Sequence, residues 1–235
     1  MKSLIFSSWP AIWVRSVTRR LGVNRIVARW LDRGDYEQAF NQALLAAIRP
    51  GDTVWDVGAN VGHYTLEFAD ATGRTGCVMA FEPVPACFGE LQLACRDLPQ
   101  VRLQNIALGS KDHVASISLA EDPLGVTHSL SNGDVEPPGK TTVTVRTAKS
   151  IIGEMPDVMP SVVKIDVEGY EEAVLQGFGA LLAEPRIQAI GVEVHFGVLE
   201  KGGDRLAPQR IEKILESSGF HLRWTDRSHI VATRR

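Results

Sequence analysis

Apolar positions along the chain follow two periods. Over residues 10–48 they recur at helical spacing (Ile12, Trp13, Val17, Leu21, Ile26, Trp30, Leu31), with arginines between them. The breaker cluster Pro50-Gly51-Asp52 ends that pattern, and short apolar runs take over. Runs at 53–57, 77–82, 101–106, 161–166 and 187–195 predict strands. The spacing between and after them predicts helices over 63–71, 85–97, 170–182 and 208–218, and the tail at 220–224 and 229–233 predicts two more strands. Strands alternating with helices of this length imply βαβ crossovers and a parallel sheet covered on both faces. Residues 110–150 break the alternation. Two β-rich stretches, 114–119 and 141–146, flank a segment holding Asn132-Gly133 and Pro137-Pro138-Gly139, which predicts an inserted hairpin or small β-flap with a long loop. The expected organisation is therefore an N-terminal helical cap or lid at 1–49 and a Rossmann-like α/β domain at 50–235, with a β insertion near 110–150.

Composition narrows the class without choosing a function. The 235 residues are 44% hydrophobic and 23% charged, which excludes collagen-like, mucin-like and largely disordered chains. A net charge of -3 gives no global basic field, so nucleic acid is not an expected partner. Cys77, Cys87 and Cys95 form no CxxC or Cys/His pattern, and they read as reduced thiols of a cytoplasmic protein. The first residues resemble a signal peptide only briefly, because Pro10 and the tryptophans interrupt the apolar run and no A-x-A site follows. Charge is unevenly placed, however. Residues 1–31 hold Lys2, Arg15, Arg19, Arg20, Arg25 and Arg29 and no acid, so the segment is +6 and the remainder -9. With Trp9, Trp13 and Trp30 in the same stretch, peripheral contact with an anionic membrane surface is an expectation alongside the plainer role of capping the sheet.

In open α/β sheets ligands bind beyond the carboxyl ends of the strands. The first strand ends in Asp56-Val57-Gly58-Ala59-Asn60-Val61-Gly62, whose G-x-x-x-G spacing fails the dinucleotide pattern G-x-G-x-x-G. The loop has no Walker lysine, and its charges are acidic, which suits a ligand with a positive centre better than bare phosphates. S-adenosylmethionine is such a ligand. Glu82 ends the second strand, where a carboxylate can accept hydrogen bonds from both ribose hydroxyls and would repel a 2′-phosphate. None of Tyr36, Tyr64 and Tyr170 is followed by a lysine four residues on, which argues against a short-chain dehydrogenase.

The segments DVGANVGHYT, FEPVP, NIALG, KIDVEGYE and VEVH, in that order across roughly residues 50–200, resemble the FkbM family of S-adenosylmethionine-dependent methyltransferases. The resemblance implies a class I methyltransferase fold, a seven-stranded sheet whose last strand is antiparallel, and methyl transfer to an oxygen. By the same resemblance Asp56, Gly58 and Asn60 would hold the methionine end, Glu82 the ribose, and Asn105 and Ala107 would lie beside the adenine, with Ser129 a weaker contact. A sugar, glycolipid or polyketide hydroxyl is the implied acceptor. Tyr170 replaces the family's usual small residue and would shape the acceptor pocket.

The fourth and fifth predicted strands end Lys164-Ile165-Asp166 and Glu193-Val194-His195. Residues two apart on a strand share a face, so Lys164 should pair with Asp166, and Glu193 with His195. Both ends open beside the expected sulfonium, which makes Asp166 a cofactor neighbour as well. Transfer to an aliphatic hydroxyl needs a base, and a histidine oriented by a carboxylate is the simplest, hence His195 with Asp166 or Glu193. Two alternatives stay open: Asp166, Glu193 and His195 as ligands of a divalent cation such as magnesium, and an N-methyltransferase or non-catalytic binding module on the same scaffold. Glu171 and Glu172 read as acids complementing a helix dipole.

Overall fold

A computed structural model describes residues 35–118, 129–131 and 140–234. The basic segment at 1–31, with the membrane contact expected of it, lies outside the described residues. The elements in chain order begin α1 (Asp35–Ala47), β1 (Thr53–Val57), α2 (His63–Thr72), β2 (Cys77–Phe81), α3 (Pro85–Cys95), β3 (Val101–Gln104), β4 (Ala107–Leu108), β5 (His113–Ser118), β6 (Ser129–Ser131) and β7 (Lys140–Arg146). They continue α4 (Ala148–Glu154), β8 (Val162–Ile165), α5 (Glu171–Phe178), β9 (Ala189–Glu193), α6 (Phe196–Lys201), α7 (Ala207–Ser217), β10 (His221–Trp224) and β11 (His229–Thr233).

The main sheet has seven strands in the order β10-β11-β9-β8-β1-β2-β3. β1, β2, β3, β8 and β9 pair in parallel, while β11 runs antiparallel to both β9 and β10. The order reverses at β1, between β2 and β8, and there the loops after neighbouring strands diverge and leave a crevice. β1 and β8 are buried along their whole length, as expected for strands covered on both faces. Trp55 is fully buried among Phe81 and Phe178 and donates its Nε1–H to Val158 O at 2.8 Å, so its single polar atom is satisfied. On the other face Phe40 and Leu44 of α1, with Ile48 just after it, pack with Val54, Phe68, Val78 and Val231. A Cβ at Gly191 would come within 2.8 Å of Leu44 and Phe40, so a glycine in β9 is what lets α1 lie this close. No helix among the described residues is long and apolar enough to cross a membrane.

The insertion is larger than a hairpin. β4, β7, β5 and β6 form a second sheet of four strands, in that order. One face alternates Ala115, Ile117, Val143 and Val145 inward against Val84 and Cys87, while Val114 points to solvent. Ala107 belongs to this apolar cluster and pairs with Val145. It therefore opens a strand of the second sheet, two residues beyond Asn105, and does not end the third strand. Two short helices, α4 and α6, were absent from the periodicity. α4 is started by Thr147, whose Oγ1 accepts from Ser150 N–H at 3.0 Å, and both are too short to show a helical repeat. The helix expected over 170–182 stops at Phe178. Gly179, at φ +53, turns the chain into a 3-10 segment, Gly179–Ala183.

Candidate active site

The carboxyl ends of β1, β2, β8 and β9 meet at one edge of the main sheet. β11, being antiparallel, begins at that edge and brings His229 opposite Glu193. The loop after β1 is tight: Gly58, Asn60 and Gly62 all have positive φ, at +79, +52 and +94. A Cβ on Gly58 would lie 1.8 Å from Asp166 O, so only glycine permits the β1 and β8 loops to touch there. Glu82, just beyond β2, is 5% exposed. Its Oε2 accepts from Asn60 N–H and its Oε1 from Val84 N–H, each at 2.8 Å. Burial pushes its carboxyl up to about 7, although the two backbone amides and the Lys164 charge pull the other way. Each oxygen keeps a further acceptor direction, the arrangement a ribose diol requires. Asn105 is exposed, and its Nδ2 donates to Glu82 O and Pro83 O at 2.8 and 3.2 Å, holding the ends of β2 and β3 together.

Asp56 stands differently from what was expected. Its side chain has no solvent exposure, accepts from Thr65 Oγ1 at 2.6 Å and lies 3.3 Å from Lys164 Nζ. It anchors the loop from beneath through Thr65 and Lys164. Lys164 is 2% exposed, lies 3.2 Å from Asp166 Oδ2 and donates to Gly58 O at 3.0 Å. Burial alone would favour its neutral form, but Asp166 and Asp56 outweigh it and raise its pKa. The expected Lys164–Asp166 pair is thus present, extended to Asp56.

His195 is the centre of the other half. Its Nδ1 lies 2.7 Å from Glu171 Oε1. Its Nε2 faces Glu168 at 3.3 Å, Asp166 at 3.6 Å and Glu193 at 3.7 Å. The orienting carboxylate is therefore Glu171, not Asp166 or Glu193. Glu171 is fully buried and also accepts from Gly169 N–H at 2.8 Å, so it does more than complement a helix dipole. Glu172, by contrast, is structural: Arg210 of α7 donates to its two oxygens at 2.6–2.9 Å. Burial opposes a charge on His195. The Glu171 hydrogen bond and the charges of Asp166, Glu171 and Glu168 overcome it and lift the imidazole to about 9. The ring therefore carries protons on both nitrogens at neutral pH. One ligand atom each of Asp166, Glu168 and His195 lie within 4.8 Å of one another, so the group placed to hold a cation has Glu168 where Glu193 was expected. Glu168 is held at φ +51, rare for a residue with a side chain, and burial raises it to about 7 against the pull of His195.

Residues 56–222 match the methyltransferase FkbM domain family. The chain belongs to the FkbM methyltransferase family. It is 30% identical over 174 residues to the hexuronic acid methyltransferase AglP of Haloferax volcanii, covering 72% of this chain and 67% of that protein. It is also 30% identical over 176 residues to the 31-O-demethyl-FK506 methyltransferase FkbM of Streptomyces tacrolimicus, covering 63% and 67%. A solved structure from Clostridium thermocellum described as an rRNA-methylase superposes with a TM-score of 0.52 at 13% identity, over 82% of this chain and 92% of that one; this likeness concerns the fold alone. The protein is an S-adenosylmethionine-dependent methyltransferase with the class I, Rossmann-like fold. The site fits that cofactor by its own features: a glycine turn in contact with the β8 loop, a buried strand-end carboxylate with free acceptor directions, and an acidic cluster suited to a sulfonium.

Of the residues expected in the site, Gly58, Asn60, Glu82, Asp166, Glu193 and His195 come together at one edge, Asp56 lies beneath them and Asn105 at the rim. Ser129 lies on β6, and its side chain is outside what is described. Glu171, Glu168 and His229 were missed as site residues. The first two stand inside the KIDVEGYE segment, so their place was visible although their partner was not. His229, at the start of the last strand, carries no local signal.

Proposed function

We propose that this methyltransferase acts on a hydroxyl of a sugar-like acceptor, a hexuronic acid or related glycan unit in the first place. The observation that supports this reading is the carboxylate-ringed His195 at the sheet edge beside the Gly58 turn. When bound, S-adenosylmethionine supplies an electrophilic methyl group on a sulfonium. The chain's part is to hold the acceptor oxygen in line and receive its proton. Glu82 with Asn60 and Gly58 would hold the ribose and methionine portions. Asp166 and Glu168 would orient the hydroxyl, and His195 would take its proton once its own has been released. Because the imidazole sits at about 9, it becomes a free base only in alkaline solution, so kcat/KM should climb with pH to about 9 rather than level off above the ordinary imidazole range. Tyr170 lines a cavity of about 170 Å³ with Gly169, Glu172, Ala173 and Leu199, next to the Glu168 turn, where the rest of an acceptor can lodge. The sugar is preferred to a polyketide because the relative acting on hexuronic acid aligns with more of the chain.

The test is release of S-adenosylhomocysteine across hexuronic acids, neutral sugars, glycolipids and polyketide alcohols, with matching amines, in EDTA and with added magnesium. Release with a hydroxylated sugar that persists in EDTA is the expected result. Release with amines alone overturns the oxygen assignment, and activity that disappears in EDTA and returns with magnesium overturns the metal-free one.

A further inference from the structure

His229 is a buried titratable residue that the transfer chemistry above does not use. It is 3% exposed and sits directly across from Glu193 in the β9–β11 ladder. Its Nδ1 lies 2.9 Å from Asp226 Oδ1, and its Nε2 faces Glu193 Oε2 at 3.4 Å. The other oxygen of Glu193 faces His195 Nε2 at 3.7 Å. One carboxylate is therefore held between two imidazoles, and the second imidazole is itself held by a second carboxylate. Asp226 is fixed in turn by the turn between β10 and β11, where its Oδ1 accepts from Ser228 N–H and His229 N–H at 2.8 and 3.1 Å. Phe40 of α1 covers the His229 ring, with centroids 4.4 Å apart.

This arrangement exceeds what packing requires. A strand in the core of a sheet is ordinarily filled by an apolar residue, and Ile230, Val231 and Ala232 next to His229 are apolar and buried. A buried imidazole with two carboxylate partners costs desolvation that Val or Ile would not incur. Glu193 without His229 would be a fourth carboxylate about the His195 imidazole with no partner of its own. We propose that Asp226 and His229 form a positioning dyad that holds Glu193 against His195, so that β11 reaches the reacting centre through one bridging carboxylate. His229 is a positioning residue here, not a catalytic one: the path runs Asp226, His229, Glu193, His195. The charged groups facing His229 are Asp226 on its own turn and Glu193 on β9, with Asp166 of the β8 loop farther off. Burial would lower the His229 pKa, but Glu193 and Asp226 raise it instead.

The inference rests on His195 standing at the reacting centre, and the readout is chosen to be independent of turnover. NMR titration of ring-labelled histidines in the full chain follows His195 directly in the wild type, His229→Leu, His229→Gln and Glu193→Gln. Without the His229 ring against its other oxygen, Glu193 faces His195 alone, so His229→Leu should move the His195 midpoint upward by about 0.5 pH unit or more. In the Glu193→Gln background the same substitution should move it by much less, because the bridge is gone. His229→Gln keeps a donor towards Glu193, and should preserve kcat within about threefold where His229→Leu loses about tenfold or more, with S-adenosylmethionine affinity unchanged in both. If His229→Leu does not fold, His229→Gln, which removes the same imidazole, is titrated in its place. An unmoved His195 midpoint, or an equal shift with and without Glu193, overturns the dyad. Should His195→Ala retain full turnover, the proposed catalytic role of His195 fails, while the coupling seen by NMR still stands or falls on its own.

Discussion

Two halves of one sheet edge are built by different means. On the β1–β2–β3 side a single carboxylate, Glu82, is held by two backbone amides, and the loop is shaped by positive-φ positions. On the β8–β9–β11 side Asp166, Glu168, Glu171, Glu193, His195 and His229 gather from several elements and hold one another by charge. The first half is pre-formed by backbone geometry and needs one side chain to recognise a diol. In the second, every group depends on a partner, so its protonation states belong to the cluster rather than to any member. The contrast teaches that recognition of an invariant cofactor can rest on the main chain, whereas moving a proton needs side chains whose charges compensate one another.

If the halves are separate in function, breaking one should spare the other. The largest effect is expected from His195→Ala, which should lower turnover by roughly 10²–10⁴ while calorimetric affinity for S-adenosylmethionine stays close to wild type. A matching loss of cofactor affinity would join the halves. Next is Lys164→Met, which leaves the fully buried Asp56 without its cation and Asp166 with His195 alone. Unfolding by denaturant should show a loss of about 3–5 kcal/mol, or failure to fold.

The pH dependence of stability sharpens the comparison. The folded His195 pKa is raised, so its contribution is fully present below about 6.5 and is lost as pH rises through about 9. Chemical denaturation should record a decline of up to about 3 kcal/mol across that window, flattened in His195→Gln. Glu82 adds the same sign in a lower window: a buried carboxyl raised to about 7 makes the native state less stable as pH climbs from about 4.5 to 7. The smallest effect should be Glu82→Ala, with S-adenosylmethionine affinity weaker by about tenfold, equivalent to the loss of one charged hydrogen bond, and an unchanged pH profile of kcat.

Much of the cofactor half was legible in the chain. Gly58, Gly62 and Glu82 lie within one βαβ unit, where a strand end, a tight turn and the next strand end are set by local periodicity. The acceptor half was legible only as a list of residue types. Glu171 and His195 are 24 residues apart, and which carboxylate meets the ring depends on how α5 rotates against β9. Spacing along a strand named Asp166 and Glu193, which do share the face, but the shortest contact comes from a helix. The second sheet shows the same limit: β4 is two residues long, too short for any period, and the pairing of Ala107 with Val145 is visible only in the fold.

By itself, then, the sequence determined the alternation of strands and helices, the glycine turn, the acidic strand ends and the family, because each depends on neighbours within a few residues or on a contiguous motif. The tertiary structure alone decided that Glu171 orients His195, that Asp56 lies beneath the site with Lys164, and that His229 stands behind Glu193. The antiparallel register of β11, set by main-chain hydrogen bonds to β9, carries the last of these residues to an edge that nothing in its own neighbourhood could indicate.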